Sequence, residues 1–186
     1  MILDAVGVDT DVTPTARRPR RVRNPEEHAM PKIIPNLWFD TQAEEAASYY
    51  CSIFPNSKIT RIVRYTDAGP GPEGSVVTVE FELDGQPFVG INGGPMFTFT
   101  EAVSLQIDCR DQAEVDRYWS ALTDGGEESQ CGWLKDRFGL SWQVVPAELV
   151  DLLDDPDKAR AARATKAMFD MRKLDLAAIK EAADAA

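Results

Sequence analysis

Two different periods of hydrophobic and polar positions alternate along the middle of the chain, and the order of their alternation sets the first structural expectation. From Ile33 to Phe39 apolar and β-branched residues read as a strand. From Thr41 to Phe54, Ala43, Ala46, Ala47, Tyr50 and Ile53 recur at spacings of three and four, the stripe of an amphipathic helix. Lys58 to Tyr65, Ser75 to Leu83 and Gln86 to Asn92 are each rich in Val, Ile, Thr or Phe and are parted by turn residues. Asp84-Gly85 between the last two predicts a tight hairpin. The order is β, α, β, β, β.

Near Ala102 the order starts again. Val103 to Cys109 reads as a strand and Gln112 to Thr123 as a helix. A shift of 69 positions sets Glu45 against Glu114, Ala46 against Val115, Tyr49 against Tyr118, Tyr50 against Trp119 and Ile53 against Leu122, so the two helices share a buried face. Cys131 to Lys135 and Leu140 to Pro146 read as strands around a turn at Asp136 to Gly139, while Gly126 to Gln130 is too polar to assign. A duplication of this size makes each half one supersecondary unit that covers its sheet by pairing with the other. The expected fold is α+β, two βαβββ modules at about 31–95 and 101–146 whose curved sheets enclose a cleft.

The ends read differently. Residues 1–29 hold scattered small polar residues, prolines and a cluster of Arg17, Arg18, Arg20, Arg21 and Arg23, with no sustained period. Such a stretch cannot bury enough apolar surface to offset its ordering entropy, so it reads as a disordered or mis-called extension with Met30 as the start of the body. The one histidine, His28, falls in it. Beyond the body at 30–147, residues 148–186 read as a helical extension. Glu148 to Leu153 is a short helix, Asp155-Pro156 a cap followed by a helix to about Arg172, and Asp175 caps a last helix carrying Leu176, Ile179 and Ala183. Met168, Phe169, Met171, Leu174, Leu176 and Ile179 are too apolar for a free tail and should pack on the body or on a second subunit, which predicts a homodimer.

Charge and composition narrow the partners. A net charge of −11 repels phosphate backbones, which excludes nucleic acid as the expected partner. No apolar run approaches the roughly 20 residues that span a bilayer, so no membrane residence is expected. Three widely spaced cysteines, Cys51, Cys109 and Cys131, form no CxxC pair and suit a reducing cytoplasm.

The phrases NLWFDTQAEEAASYYCSIFPNSKI, FELDGQPFVGINGGPMF and QCGWLKDRFGLSWQVVP resemble the PhnB-like branch of the vicinal oxygen chelate (glyoxalase/bleomycin resistance/dioxygenase) superfamily, a branch often called 3-demethylubiquinone-9 3-methyltransferase. The resemblance covers about Pro31 to Pro146 and continues into the tail at RKLDLAAIKEA. It implies paired modules, a homodimer and a small-molecule ligand in the cleft. Catalytic members hold a divalent metal with His and Glu from the first and last strands of each half. Here those positions fall at Pro35 or Asn36, at Leu105 or Gln106, and at Gln143, none of which is a good ligand for a divalent ion, so no metal is expected. Met96 stands where relatives often have histidine.

What the architecture would leave in the cleft is Trp38, Asn92, Gln106, Trp133, Trp142 and Gln143, aromatic walls with a few fixed amides. Each Trp reads equally as a core residue, and Asn92-Gly93-Gly94-Pro95 equally as a plain connector. Gln106 and Gln143 are the stronger ligand candidates, because an inward amide must find a partner. Cys131 reads as a nucleophile or ligand contact, or as a buried inert thiol, since the body has no histidine to act as its base. Asp40 and Asp136 are candidate acids or bases, Asp136 also a turn cap. The glycine-rich stretches, Gly69 to Gly74 and Gly93-Gly94-Pro95, open strands and contain prolines, unlike the strand-to-helix turn that holds S-adenosylmethionine, so no cofactor is expected. Three readings follow: a metal-free protein that binds or transforms a small organic molecule, a methyltransferase as the branch name states, and a non-catalytic sequestering protein whose acidic surface suits a cationic ligand.

Overall fold

The computed structural model describes residues 33–185. The extension at 1–29, with its arginine cluster and His28, and the start at Met30 lie outside the described residues. The elements run β1 (Asn36–Phe39), α1 (Ala43–Ile53), β2 (Lys58–Arg64), β3 (Val76–Leu83), β4 (Gln86–Asn92), β5 (Ser104–Cys109), α2 (Gln112–Thr123), β6 (Glu127–Glu128), β7 (Trp133–Lys135), β8 (Ser141–Pro146), α3 (Leu149–Leu153), α4 (Lys158–Phe169) and α5 (Leu176–Asp184). Two four-stranded sheets result, ordered β1-β4-β3-β2 and β5-β8-β7-β6. In each the first and last strands of the module pair in parallel and the rest antiparallel. The α+β fold of two βαβββ modules is the one the duplication predicts.

Alternation decides which face of each sheet carries its helix. In β3, Val79, Phe81 and Leu83 are buried while Glu80 and Glu82 between them are half-buried. In β8, Trp142 and Val144 are buried and Gln143 and Val145 less so. Gly90 lets α1 lie close on its sheet, since a Cβ there would come 3.1 Å from that of Ala43. The buried faces of both modules belong to one core. Across it Phe54, just past the end of α1, stacks on Tyr118 and Trp142 with ring centroids 5.2 and 5.3 Å apart, and Tyr50 lies 5.5 Å from Trp142. The sheets therefore turn their helix-bearing faces toward each other. The cavity between the halves lies along the edge strand β5, and the opposite sheet faces point away from the core.

Several boundaries differ from the sequence reading. Cys131 is not in a strand. Its φ of 57° and that of Gly132 at 82° put both in the left-handed region, and β7 begins only at Trp133. The polar stretch after α2 contains the two-residue strand β6. Helix α4 is capped by Asp157, whose side chain accepts from the Ala159 and Arg160 amides, rather than by Asp155, and it ends at Phe169 rather than Arg172. The apolar residues of the extension pack within the chain. Leu149, Leu152, Ala164, Leu174, Leu176, Ile179 and Ala183 form a second core with Met168 and Met171 against it, and Phe169 alone of the predicted set is left 63% exposed.

Candidate functional site

A strand at the edge of a sheet offers both faces and one row of free backbone groups to whatever lies beside it. β5 does so at the seam between the modules, where a cleft of about 710 Å³ is lined by all of Ser104 to Asp108. Leu105 and Ile107 join Phe54, Phe88, Tyr118 and Trp142 as its apolar wall, and Ser104, Gln106 and Asp108 form a polar flank. The flank is ordered by its own bonds. Gln143 Nε2 donates to Ser104 Oγ at 2.9 Å, and Gln106 Nε2 donates to Asp108 Oδ1 at 2.7 Å. Gln106 and Gln143 are register partners on the parallel pair β5–β8. At the mouth Arg110 Nη2 meets Glu114 Oε1 at 2.6 Å, and this bond holds the Glu114 carboxyl down at about 2.

Beneath the wall sits a buried carboxylate. Asp136, 3% exposed, takes four hydrogen bonds: Tyr50 Oη donates at 2.7 Å and Trp142 Nε1 at 2.8 Å to Oδ2, and the amides of Phe138 and Leu140 donate to Oδ1. Burial pushes its carboxyl above the ordinary range, against the pull of these donors, and burial followed by the nearby Asp136 charge pushes the Tyr50 phenol well up. One side chain thus ties helix α1 of the first module to the ring that faces the cleft in the second. The turn-capping role read for Asp136 is present, and its two inter-element bonds come with it.

The predicted site residues part company. Gln106 and Trp142 line the cleft, Trp142 with only 2% of its surface exposed, and Gln143 reaches it through Ser104. Trp133 lies on the open face of the second sheet, where it is the register partner of Gln143 and borders a smaller pocket of about 110 Å³. Trp38 is elsewhere: its indole donates to Gly94 O at 2.9 Å, its ring meets Phe97 edge-on, and a Cβ on Gly93 would lie 2.0 Å from it. Asn92 is a structural strut, its Oδ1 accepting from the Ala43 amide at the start of α1 and its Nδ2 donating to Val76 O. Cys131 lines neither pocket, and burial raises its thiol, as it pushes that of Cys109 up to about 12. Sequence reasoning missed Phe54, Phe88, Tyr118, Ser104 and Asp108. The alternation at 104–108 was visible, but the position of β5 at the seam was not.

The cofactors that the resemblance raises can be tested against these residues. A divalent ion needs carboxylate or imidazole donors, and the two register partners where ligands would stand are neutral amides. Among the described residues no group of three or more His, Cys, Asp or Glu gathers that could hold a metal. Gly69 and Gly71, candidates for a nucleotide-like cradle, are covered by the Tyr65 ring, which a Cβ on either would approach within 2.6 and 2.5 Å. Neither donor set nor cradle fits.

Residues 31–145 match the family described as 3-demethylubiquinone-9 3-methyltransferase. Among solved structures, the PhnB protein from Bacillus cereus is 38% identical, with 63% of this chain matched to 100% of that one at a TM-score of 0.59. Protein PA1353 from Pseudomonas aeruginosa is 21% identical, with 62% of this chain matched to 96% of that one at a TM-score of 0.53, a likeness of fold alone. No curated protein matches the chain. The family match ends before α3, so the whole C-terminal tract lies beyond it.

Proposed function

The chain belongs to the PhnB-like family described as 3-demethylubiquinone-9 3-methyltransferase, and on that premise we propose that it takes up a small organic molecule with an apolar ring in the cleft along β5. Gln106 and Ser104 supply neutral hydrogen-bonding groups to it, with Gln143 orienting Ser104 from behind, and no metal centre or S-adenosylmethionine takes part. The observation that supports this reading most is the composition of the cleft, a wall of aromatic and aliphatic side chains facing one ordered polar flank, at a volume inside the range of about 300–1,000 Å³ usual for such pockets. The apolar wall gains from removing a ring from water, and the amides fix its orientation.

The test is calorimetric titration with a short-chain demethylubiquinone analogue, alone, with S-adenosylmethionine, and after chelation with and without added Mn²⁺ or Zn²⁺. Saturable binding unchanged by cofactor or ion, and weakened by Gln106→Leu, is expected. No binding, or binding that needs the ion, contradicts the proposal, and a methylated product by mass spectrometry replaces it with the activity in the family description. Binding without turnover fits a sequestering role. Met96, Phe97 and Val103, exposed at 75, 58 and 69% in and beside the connection between modules, form an apolar stretch that a second copy would cover in the proposed homodimer. Light scattering checks it. The widely spaced cysteines favour a cytoplasmic location, and no helix among the described residues is long and apolar enough to cross a membrane.

A further inference from the structure

We propose that the α3–α5 tract is a clamp that sets the conformation of the loop at Cys131-Gly132 leading into Trp133, with Gln112 as the positioning residue that fastens it. The connection between α4 and α5 runs back along the second module and bonds to it at successive points. Met171 O accepts from the Cys131 amide at 2.8 Å and Arg172 O from the Gly132 amide at 2.7 Å. Gln112 grips the same strap from α2 with both ends of its amide. Its Nε2 donates to Leu174 O at 3.0 Å and its Oε1 accepts from the Leu176 amide at 2.9 Å. Between these grips Leu174 is fully buried, so close to the loop that a Cβ on Gly132 would lie 3.0 Å from its Cδ1.

What the strap holds is an unfavourable stretch of backbone. Cys131 and Gly132 are consecutive left-handed residues, and Cys131 has a Cβ that disfavours this conformation. Their amides have their partners in the strap. From the loop the order passes toward the site: Gly132 O accepts from the Val144 amide at 2.8 Å, Trp133 stands in register with Gln143, and Gln143 donates to Ser104 on the polar flank. A tract that only added stability would act on the whole chain, whereas this one grips the segment that decides where Trp133 sits.

Gln112→Ala in the full-length protein removes both grips. Three readouts follow: amide exchange at Cys131 and Gly132, alkylation of Cys131 by iodoacetamide resolved by mass spectrometry, and the Trp133 indole cross-peak. Exchange and alkylation should rise about tenfold, the change that about one lost hydrogen bond brings, and the cross-peak should move. The amides of β2, at the edge of the first sheet and open to exchange by local fraying, should exchange as before. Should Gln112→Ala fail to fold, Gln112→Met keeps the side chain's length, removes both bonds and carries the same comparison. An unmoved indole peak with unchanged exchange at Cys131 and Gly132 overturns the proposal. So does an equal acceleration in β2, which would mean that the tract loosens the first module as much as the second and positions nothing.

Discussion

The two modules follow one plan and are held together by different means. In the first, strands of seven, eight and seven residues form β2, β3 and β4, and the sheet is closed by its own ladders. In the second, β6 and β7 have two and three residues, too few to hold a sheet edge by pairing alone, and support comes from outside the ladder. Asp136 ties the second module inward to Tyr50, and the C-terminal strap ties its outer loop. The helices divide the other way. α2 is capped locally by Asp111, which accepts from the Glu114 amide, whereas α1 has no local side-chain cap and is capped by Asn92 from a distant strand. The module bearing the polar flank of the cleft is thus the one whose sheet depends on its neighbours, a common place for a site to be built.

The sharpest way to break this contrast is at the corresponding turns. Asp136→Ala strands two side-chain and two backbone donors in the core and should cost about 4 kcal/mol or more in urea unfolding, whereas Asp84→Ala, at the exposed turn of the first module, should cost only about 1 kcal/mol, from its left-handed backbone at φ 46°. Equal costs would erase the distinction. Leu174→Ala, which empties the strap's buried anchor, should cost about 3 kcal/mol by the same assay. The caps come next: Asp111→Ala should cost about 1 kcal/mol, and Asn92→Ala somewhat more, because Asn92 also bonds Val76 O. The smallest effect is in pH. Because burial raises the Asp136 carboxyl in the folded state, that state takes up the proton more readily than the unfolded chain. The group's contribution is complete below the unfolded value of about 3.9 and is lost as pH rises through the folded value. Asp136→Asn carries no such titration. The stability of the native sequence relative to this variant should therefore improve as pH falls from 7 toward 4, and a constant difference would contradict the assignment.

Much of the fold was legible because periodicity and duplication are local records. The strands and helices from Ile33 to Pro146 follow directly from spacings of two, three and four, and the shift of 69 positions that aligns Tyr50 with Trp119 pairs the two helices correctly. The losses have physical causes. Cys131 looks like a strand residue because composition does not report a positive φ. β6 is two glutamates, paired to β7 by register alone. Asp155 before Pro156 has the look of a cap, but Asp157 takes the bonds and Asp155 pairs with Arg160 instead. The candidate site was half legible. Gln106 lies on the cleft and Gln143 beside it through Ser104, both singled out because amides on strands stand out, while Asn92 carries the same signal and serves the scaffold. Which face of β8 meets which module depends on how the halves dock, so the sequence could not show that Trp142 is wall and Gln143 its flank.

The claim on which the rest depends is that one core, closed by both modules, holds the cleft at its seam. Native-state hydrogen exchange across a urea series tests it most directly, comparing Val79 and Phe81 in β3 with Trp142 and Val144 in β8. All four lie in the shared core, so their exchange should merge into a single global opening with one urea dependence. Opening of β8 at a lower free energy while β3 stays closed would show two cores side by side and contradict the account.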